Sequence, residues 1–302
     1  MNILVAGVSD NGGASWWASQ AINRYTGHQA RGTRTYDSYI EFPHDILNPS
    51  VGQLIQLCQW ADVIHVRDTV KLIPPVYRRS KPIVLTMTGK RNTLKAVLKS
   101  CRRNHWLMGV STYDLTQFLP EGSVVWTPNS REDLAALWHP IRGEFRIAHA
   151  PTSRLCKGTE TVIRAVSPMD HPVTLDVIER QTYAATMGRK QLCRCLIDQF
   201  TYGYGSNSIE AWALGMPVIS GSMRGRYAEA VKKMAGFLPY IKVRESVEEI
   251  RGAILEISGG GPLYFEAIER GREYFFKYHH MPAVAKRLIG VYEQAISYKA
   301  SG

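Results

Sequence analysis

Short apolar runs alternate with helix-like patterns along almost the whole chain, and parallel βα units are what produce such alternation. In the first half the strand candidates are 2–7, 61–66, 82–88, 106–110 and 123–126, with helix candidates at 14–25, 51–59, 91–103 and 112–118. A second series starts at Phe145-Arg146-Ile147-Ala148-His149-Ala150. Its strands are expected at 145–149, 172–178, 193–197 and 216–219, and its helices near 158–166, 206–214, 225–234 and 246–257. A length of 302 residues exceeds one ordinary doubly wound domain and suits two. Between the series, Pro128-Asn129-Ser130, Trp138-His139-Pro140 and Gly143 are turn and breaker chemistry. The expected division is therefore a first domain over 1–140 and a second over 141–302. Gly259-Gly260-Gly261-Pro262 breaks the chain again before two helical patterns, 263–277 and 281–298, the last of which can pack back on the first domain.

Composition excludes several classes. The first strand is too short for a membrane span or a secretory signal core, no basic stretch precedes it, and nothing later approaches 18 apolar residues. A soluble cytoplasmic protein is the expectation. The five cysteines, Cys58, Cys101, Cys156, Cys193 and Cys195, form no CxxC pair and no zinc spacing, and their odd number argues against a disulfide framework. The formal net charge of +11 points to solubility, or to a polyanion or anionic surface as partner.

Two segments carry the chemistry. The run from Gly203 to Ile219 places small residues, Gly205, Ser206, Asn207 and Ser208, in a loop that opens a helix. Backbone N–H groups there can face a diphosphate, helped by the positive helix end. Glu210 falls in the first turns, where a carboxylate can take two hydrogen bonds from ribose hydroxyls. An ordinary βα loop capped by Ser206 is the plainer alternative. The second segment is His149-Ala150-Pro151-Thr152-Ser153-Arg154-Leu155-Cys156-Lys157-Gly158-Thr159, after the first strand of the second series. Ligands of doubly wound folds bind at strand C-termini, so Arg154 and Lys157 suit a diphosphate leaving group, or else lie on solvated surface.

Together these segments resemble the retaining GT-B glycosyltransferases of the group 1 type, the superfamily of glycogen and sucrose synthases. The resemblance implies two Rossmann-like doubly wound domains facing a central cleft. It implies a nucleotide-sugar donor, a UDP-sugar first among them, with no separate cofactor and no bound metal, and transfer with retention of configuration. Arg154 and Lys157 match the family's Arg and Lys, and Glu210 takes the place of the second Glu of its E-x7-E motif. The first Glu of that motif is replaced by Tyr202. Asp198 is then either a substitute carboxylate or a strand-end cap. The replacement also permits a second class of function, a silent nucleotide-sugar or nucleic-acid binding module.

In the first domain, Ser9-Asp10-Asn11-Gly12-Gly13-Ala14 resembles the family's N-terminal glycine loop, so Gly12 and Gly13 are placed at the donor. Arg67 stands where relatives often carry a histidine near the reacting sugar, and is counted with Arg154 and Lys157 as catalytic. Trp16, Trp17, His65, Lys90 and Arg91 are placed on the acceptor side, with core packing as the plainer reading of the tryptophans and of His65. From 67 to 103 eleven Lys and Arg face a single acid, Asp68. Leu94, Val97, Leu98 and Cys101 form one apolar stripe there, with Lys95, Lys99, Arg102 and Arg103 off it. A basic acceptor domain suits a polyanion. A hydroxymethylated pyrimidine in DNA is the favoured acceptor, ahead of a saccharide or lipid-linked acceptor reached by peripheral contact with an anionic membrane.

Overall fold

The computed structural model describes residues 1–8, 12–36, 38–88, 93–167, 169, 173–201, 203–221 and 226–301. The chain forms two compact units, Met1–Ser130 with Met281–Gly302, and Arg131–His280.

The first unit runs β1 (Asn2–Gly7), α1 (Ala14–Tyr25), β2 (Gln29–Arg34), β3 (Ile46–Leu47), α2 (Val51–Trp60), β4 (Val63–Arg67), α3 (Pro75–Ser80), β5 (Ile83–Met87), α4 (Leu94–Arg103), β6 (Leu107–Val110) and β7 (Val125–Trp126). The strands make one parallel sheet in the order β3-β2-β1-β4-β5-β6-β7. The order reverses between β1 and β4, which is the nucleotide-fold arrangement. Successive side chains of β1 point to opposite faces. Ile3 and Val5 meet Ala18 and Ile22 of α1, while Leu4 and Ala6 lie in the core that holds Cys58 of α2 and Leu94, Leu98 and Cys101 of α4. Both faces are covered, so the strand is apolar throughout rather than alternating.

The second unit runs β8 (Phe145–His149), α5 (Arg154–Lys157), α6 (Thr159–Val166), β9 (Val173–Val177), α7 (Tyr183–Gln191), β10 (Cys195–Ile197), α8 (Ser206–Leu214), β11 (Val218–Ser220), α9 (Arg226–Ala235), β12 (Ile241–Lys242), α10 (Val247–Ser258) and α11 (Pro262–Tyr278). Its parallel sheet has the order β12-β11-β10-β8-β9, with the reversal between β8 and β10. The final helix, α12 (Met281–Ala300), belongs to the first unit, where Val284, Leu288, Val291 and Tyr292 join Ile3 and Val5. No helix among the described residues is long and apolar enough to cross a membrane.

Several elements depart from the sequence expectation. Strands β2, β3 and β12 and helices α3, α5 and α7 have no counterpart in it. Gln29-Ala30-Arg31-Gly32-Thr33-Arg34 is polar and carries a glycine, and its strand conformation comes from six-residue parallel pairing with β1. In α7 only Met187 and Lys190 are buried, so no apolar stripe marks it. The helix expected at 112–118 is a 3-10 turn over Tyr113–Phe118.

His65 on β4 is 1% exposed. Its Nδ1 lies 3.0 Å from the Tyr292 hydroxyl and its Nε2 2.8 Å from Thr86 Oγ1, which in turn lies 2.7 Å from Thr127 Oγ1. The imidazole thus ties α12 to the sheet. Burial, seconded by the Arg67 charge, pushes its pKa from an ordinary 6.5 down to about 3. Unfolded His65 takes up a proton that the folded ring refuses. Its contribution to stability is therefore complete above pH 6.5 and is lost as pH falls toward 3. The loss between pH 7 and pH 5 is about 2 kcal/mol. Urea unfolding of wild type and His65→Gln at both pH values checks this. The variant should lose about that much less on acidification, and equal losses would contradict the assignment.

Candidate functional site

In an open parallel sheet the crevice lies beyond the strand C-termini where the order reverses. In the second unit that point is between β8 and β10. After β8, Ser153 Oγ accepts from Cys156 N–H and starts the single turn α5. Gly158 then takes a left-handed conformation, φ 65°, between α5 and α6. A Cβ there would stand 2.7 Å from Phe200 and 2.8 Å from Glu245, so space as well as backbone conformation requires glycine. The turn delivers Lys157, 13% exposed, to Asp198 at the end of β10, and the two form an ion pair.

Asp198 is buried and accepts three kinds of donor: Lys157 Nζ, Gly205 N–H at 2.9 Å and Ser208 Oγ at 2.6 Å. Burial alone would raise its pKa. The Lys157 charge and hydrogen bonds from Lys157, Ser208 and Gly205 outweigh burial and hold it below the usual carboxylate range. Gly205 is the N-cap of α8 and offers no side chain, so Asp198 supplies the capping carboxylate from a different strand. Ser206 is the first helical residue and does not cap. Gly205, Ser206 and Asn207 are only half-buried, leaving the first turn of α8 within reach of a ligand. The helix closes on Gly215 at φ 93°.

The loop before α8 is pinned from below. The hydroxyl of Tyr204 lies 2.9 Å from that of Tyr274 and 3.3 Å from His279 Nε2, and its ring packs against Trp212. Further inside the unit, Glu210 gives one oxygen to Arg131 Nη2 at 2.9 Å and the other to Lys190 Nζ at 2.6 Å. Both cations are fully buried. Burial opposes the Glu210 charge, and Lys190 and then Arg131 overcome it, holding the carboxyl below its usual range. Lys190 Nζ also donates to Asn207 Oδ1 at 2.6 Å, and Asn207 Nδ2 donates to Ala150 O at 2.8 Å.

The structure therefore gathers Lys157, Asp198, Gly205, Ser206, Asn207 and Ser208 at one strand-end crevice. Arg154 is not gathered with Lys157. It is exposed and turns to Glu160 and Glu179, at 2.8 and 2.7 Å. Glu210 stands at the matched position, but its side chain is 4% exposed and both oxygens serve buried cations, so it is committed to the interior. In the first unit, Gly13 caps α1 with φ 60°, a Cβ there would lie 2.8 Å from Phe42, and Gly12 is half-buried beside it. Arg67, at the end of β4, donates to Asn129 Oδ1 at 3.1 Å. Trp17 is 8% exposed and is a core residue, because α1 turns Ala14, Trp17, Ala18, Ala21 and Ile22 inward; Trp16 is half-buried. His65 is likewise interior, with both ring nitrogens engaged. Tyr202, Lys90, Arg91 and residues 9–11 lie outside the described residues. Among the described residues no group of three His, Cys, Asp or Glu side chains is placed to hold a metal ion.

Arg131, Lys190 and Tyr204 were not singled out by sequence. The pairing of Arg131 with Glu210 spans 79 residues and that of Lys190 spans 20, and local patterns carry no signal over such separations.

No protein-family model matches the chain, and no curated protein matches it in sequence. Its structure is similar to that of HepE from Anabaena solved with UDP-glucose, with a TM-score of 0.69 and 12% identity over 97% of this chain and 100% of that one. It is similar to a glycosyltransferase from Rickettsia africae, with a TM-score of 0.68 and 11% identity over 98% of each chain. It is also similar to sucrose-phosphate synthase from Thermosynechococcus elongatus, with a TM-score of 0.64 and 12% identity over 97% and 99%. At these identities the likeness is one of fold, the two-sheet α/β fold of GT-B glycosyltransferases.

Removing one member of a buried ion cluster leaves its partners uncompensated. Glu210→Gln leaves Arg131 and Lys190 buried with no carboxylate between them, and should destabilise the protein by roughly 3 kcal/mol. Urea denaturation against wild type measures this; a difference within about 0.5 kcal/mol, the size of an ordinary surface change, would contradict it.

Proposed function

We propose that this chain is a glycosyltransferase that moves a sugar from a nucleoside diphosphate donor, a UDP-sugar first among candidates, to an acceptor hydroxyl. The observation that carries this reading is the meeting of Lys157, Asp198 and the open first turn of α8 at the β8/β10 reversal. It is supported by the fold, which is shared with HepE solved with UDP-glucose. A diphosphate at the first turn of α8 would accept from the amides of Ser206 and Asn207. Lys157 would pass from Asp198 to a phosphate oxygen as the bond from the sugar anomeric carbon to the phosphate oxygen breaks. The acceptor oxygen forms the new bond to that carbon, and its proton goes to a phosphate oxygen of the departing nucleotide. Attack on the leaving-group face, with retention of configuration, rests on the resemblance of the Arg154-to-Lys157 turn and the Gly203-to-Ile219 run to the retaining enzymes. The acceptor hydroxyl is assigned to a modified pyrimidine in DNA. Its support is electrostatic. The first unit carries seventeen Lys and Arg against nine Asp and Glu, the second twenty against seventeen. On α4 the exposed Lys95, Lys99, Arg102 and Arg103 make no ion pair among the described residues, while the apolar side chains of that helix are turned into the core. That face offers charge without an apolar edge, as a polyanion contact requires.

Lys157→Ala should cut nucleoside diphosphate release by roughly two orders of magnitude, as loss of a transition-state charge donor does. Arg154→Ala should cut it less, since Arg154 already serves two carboxylates. Near-wild-type release by folded Lys157→Ala would overturn the site. For the acceptor, hydroxymethylated duplex DNA is offered with a panel of nucleotide sugars, and the digest is searched for glycosylated nucleosides by mass spectrometry. Binding to DNA should weaken steeply with salt, and again when Lys95, Lys99, Arg102 and Arg103 become Ala. No DNA binding at low salt, with tight binding to anionic vesicles, would replace DNA by a membrane-borne acceptor.

A further inference from the structure

Lys190 is an unusual residue to find where it lies. It is fully buried on α7, a helix with little else inside the unit. A buried ammonium is expensive even when paired, and an apolar residue of similar volume is often at least as stable. Its two hydrogen bonds are unequal in consequence. The one to Glu210 satisfies charge. The one to Asn207 Oδ1 decides which way the Asn207 amide faces, because an ammonium can only donate. With Oδ1 held by Lys190, Nδ2 is turned to Ala150 O, at the end of β8. Asn207 thereby clamps the second residue of α8 to the loop that leads into α5 and Lys157. These are the two segments between which the diphosphate is placed. In the same cluster Arg131 and Lys190 share the carboxylate of Glu210, one on each oxygen. Tyr183, on the same helix, hydrogen-bonds with Arg131, and burial first and then the Glu210 charge push its phenol pKa well above the usual range, so it adds no second negative charge.

We infer that Lys190 is a positioning residue for the nucleoside diphosphate, acting through Asn207 to set the spacing between the first turn of α8 and the β8 loop. This rests on the donor site proposed above. Nothing in the local sequence around Lys190 marks it for such a role; the buried geometry does.

The test is UDP binding by calorimetry, with donor and acceptor KM measured separately, on wild type, Lys190→Met, Asn207→Ala and the double variant. Lys190→Met should weaken UDP binding roughly tenfold, the equivalent of one well-placed hydrogen bond. Donor KM should rise with it, while acceptor KM stays put. A merely structural lysine would lower the amount of folded protein and leave the affinity of the folded molecules unchanged. The double variant should bind UDP no more weakly than Asn207→Ala alone, because Lys190 acts through that side chain. Should Lys190→Met not fold, Lys190→Arg, which keeps the charge but alters its reach, carries the same comparison. Wild-type UDP affinity in the folded Lys190 variant, or strictly additive losses in the double variant, would overturn the inference and leave the donor site standing. Failure of wild type to bind any nucleoside diphosphate would remove the donor site and the inference together.

Discussion

Asp198 is the point on which the second unit's crevice depends. It directly follows β10, accepts from Gly205 N–H and Ser208 Oγ at the start of α8, and holds Lys157 at the end of the α5 turn. Three segments distant in sequence are thus fixed by one carboxylate. Its desolvation is tolerable because every contact it makes is a donor aimed at a charged acceptor. The arrangement also neutralises the Lys157 charge. On the proposed reading, a phosphate at the half-buried first turn of α8 would find Lys157 held beside it by Asp198.

Beneath that layer sits a second, more deeply buried one. Glu210 holds two buried cations, and one of them, Lys190, also donates to Asn207. The sheet order supplies the crevice and the two carboxylates supply its rigidity. Tyr204, just before α8, is anchored by Tyr274 and His279. The first unit is different in kind. There His65, Thr86 and Thr127 hold helix to sheet in the interior, and on α4 Lys95, Lys99, Arg102 and Arg103 are exposed with no ion pair among the described residues.

Much of this is legible in the sequence. β1, β8, α1 and α8 follow directly from apolar runs and periodicity, because their burial is locally patterned. The grouping of Gly205, Ser206, Asn207 and Ser208 at a helix start could be read, as could Asp198 as a carboxylate of interest. What could not be read is partnership. Lys157 reaches across 41 residues to Asp198, and Arg154, three residues away, goes elsewhere. Glu210 reads as a ligand at the start of a helix until Arg131 and Lys190 are seen to enclose it. β2 and α7 leave no mark in the sequence because their conformations are imposed by neighbours and not by their own side chains. Trp17 shows the reverse: its place beside a glycine loop suggests an acceptor contact, and helical phase turns it inward, as the plainer core reading has it.

A crystal structure of the protein with UDP tests most directly whether the β8/β10 reversal of the second unit holds a nucleoside diphosphate, as proposed. The account predicts phosphate oxygens within hydrogen-bond distance of Lys157 Nζ and of the Ser206 and Asn207 amides, with the Asn207 side chain still on Ala150 O. UDP bound elsewhere, with Lys157 still paired to Asp198, would contradict it.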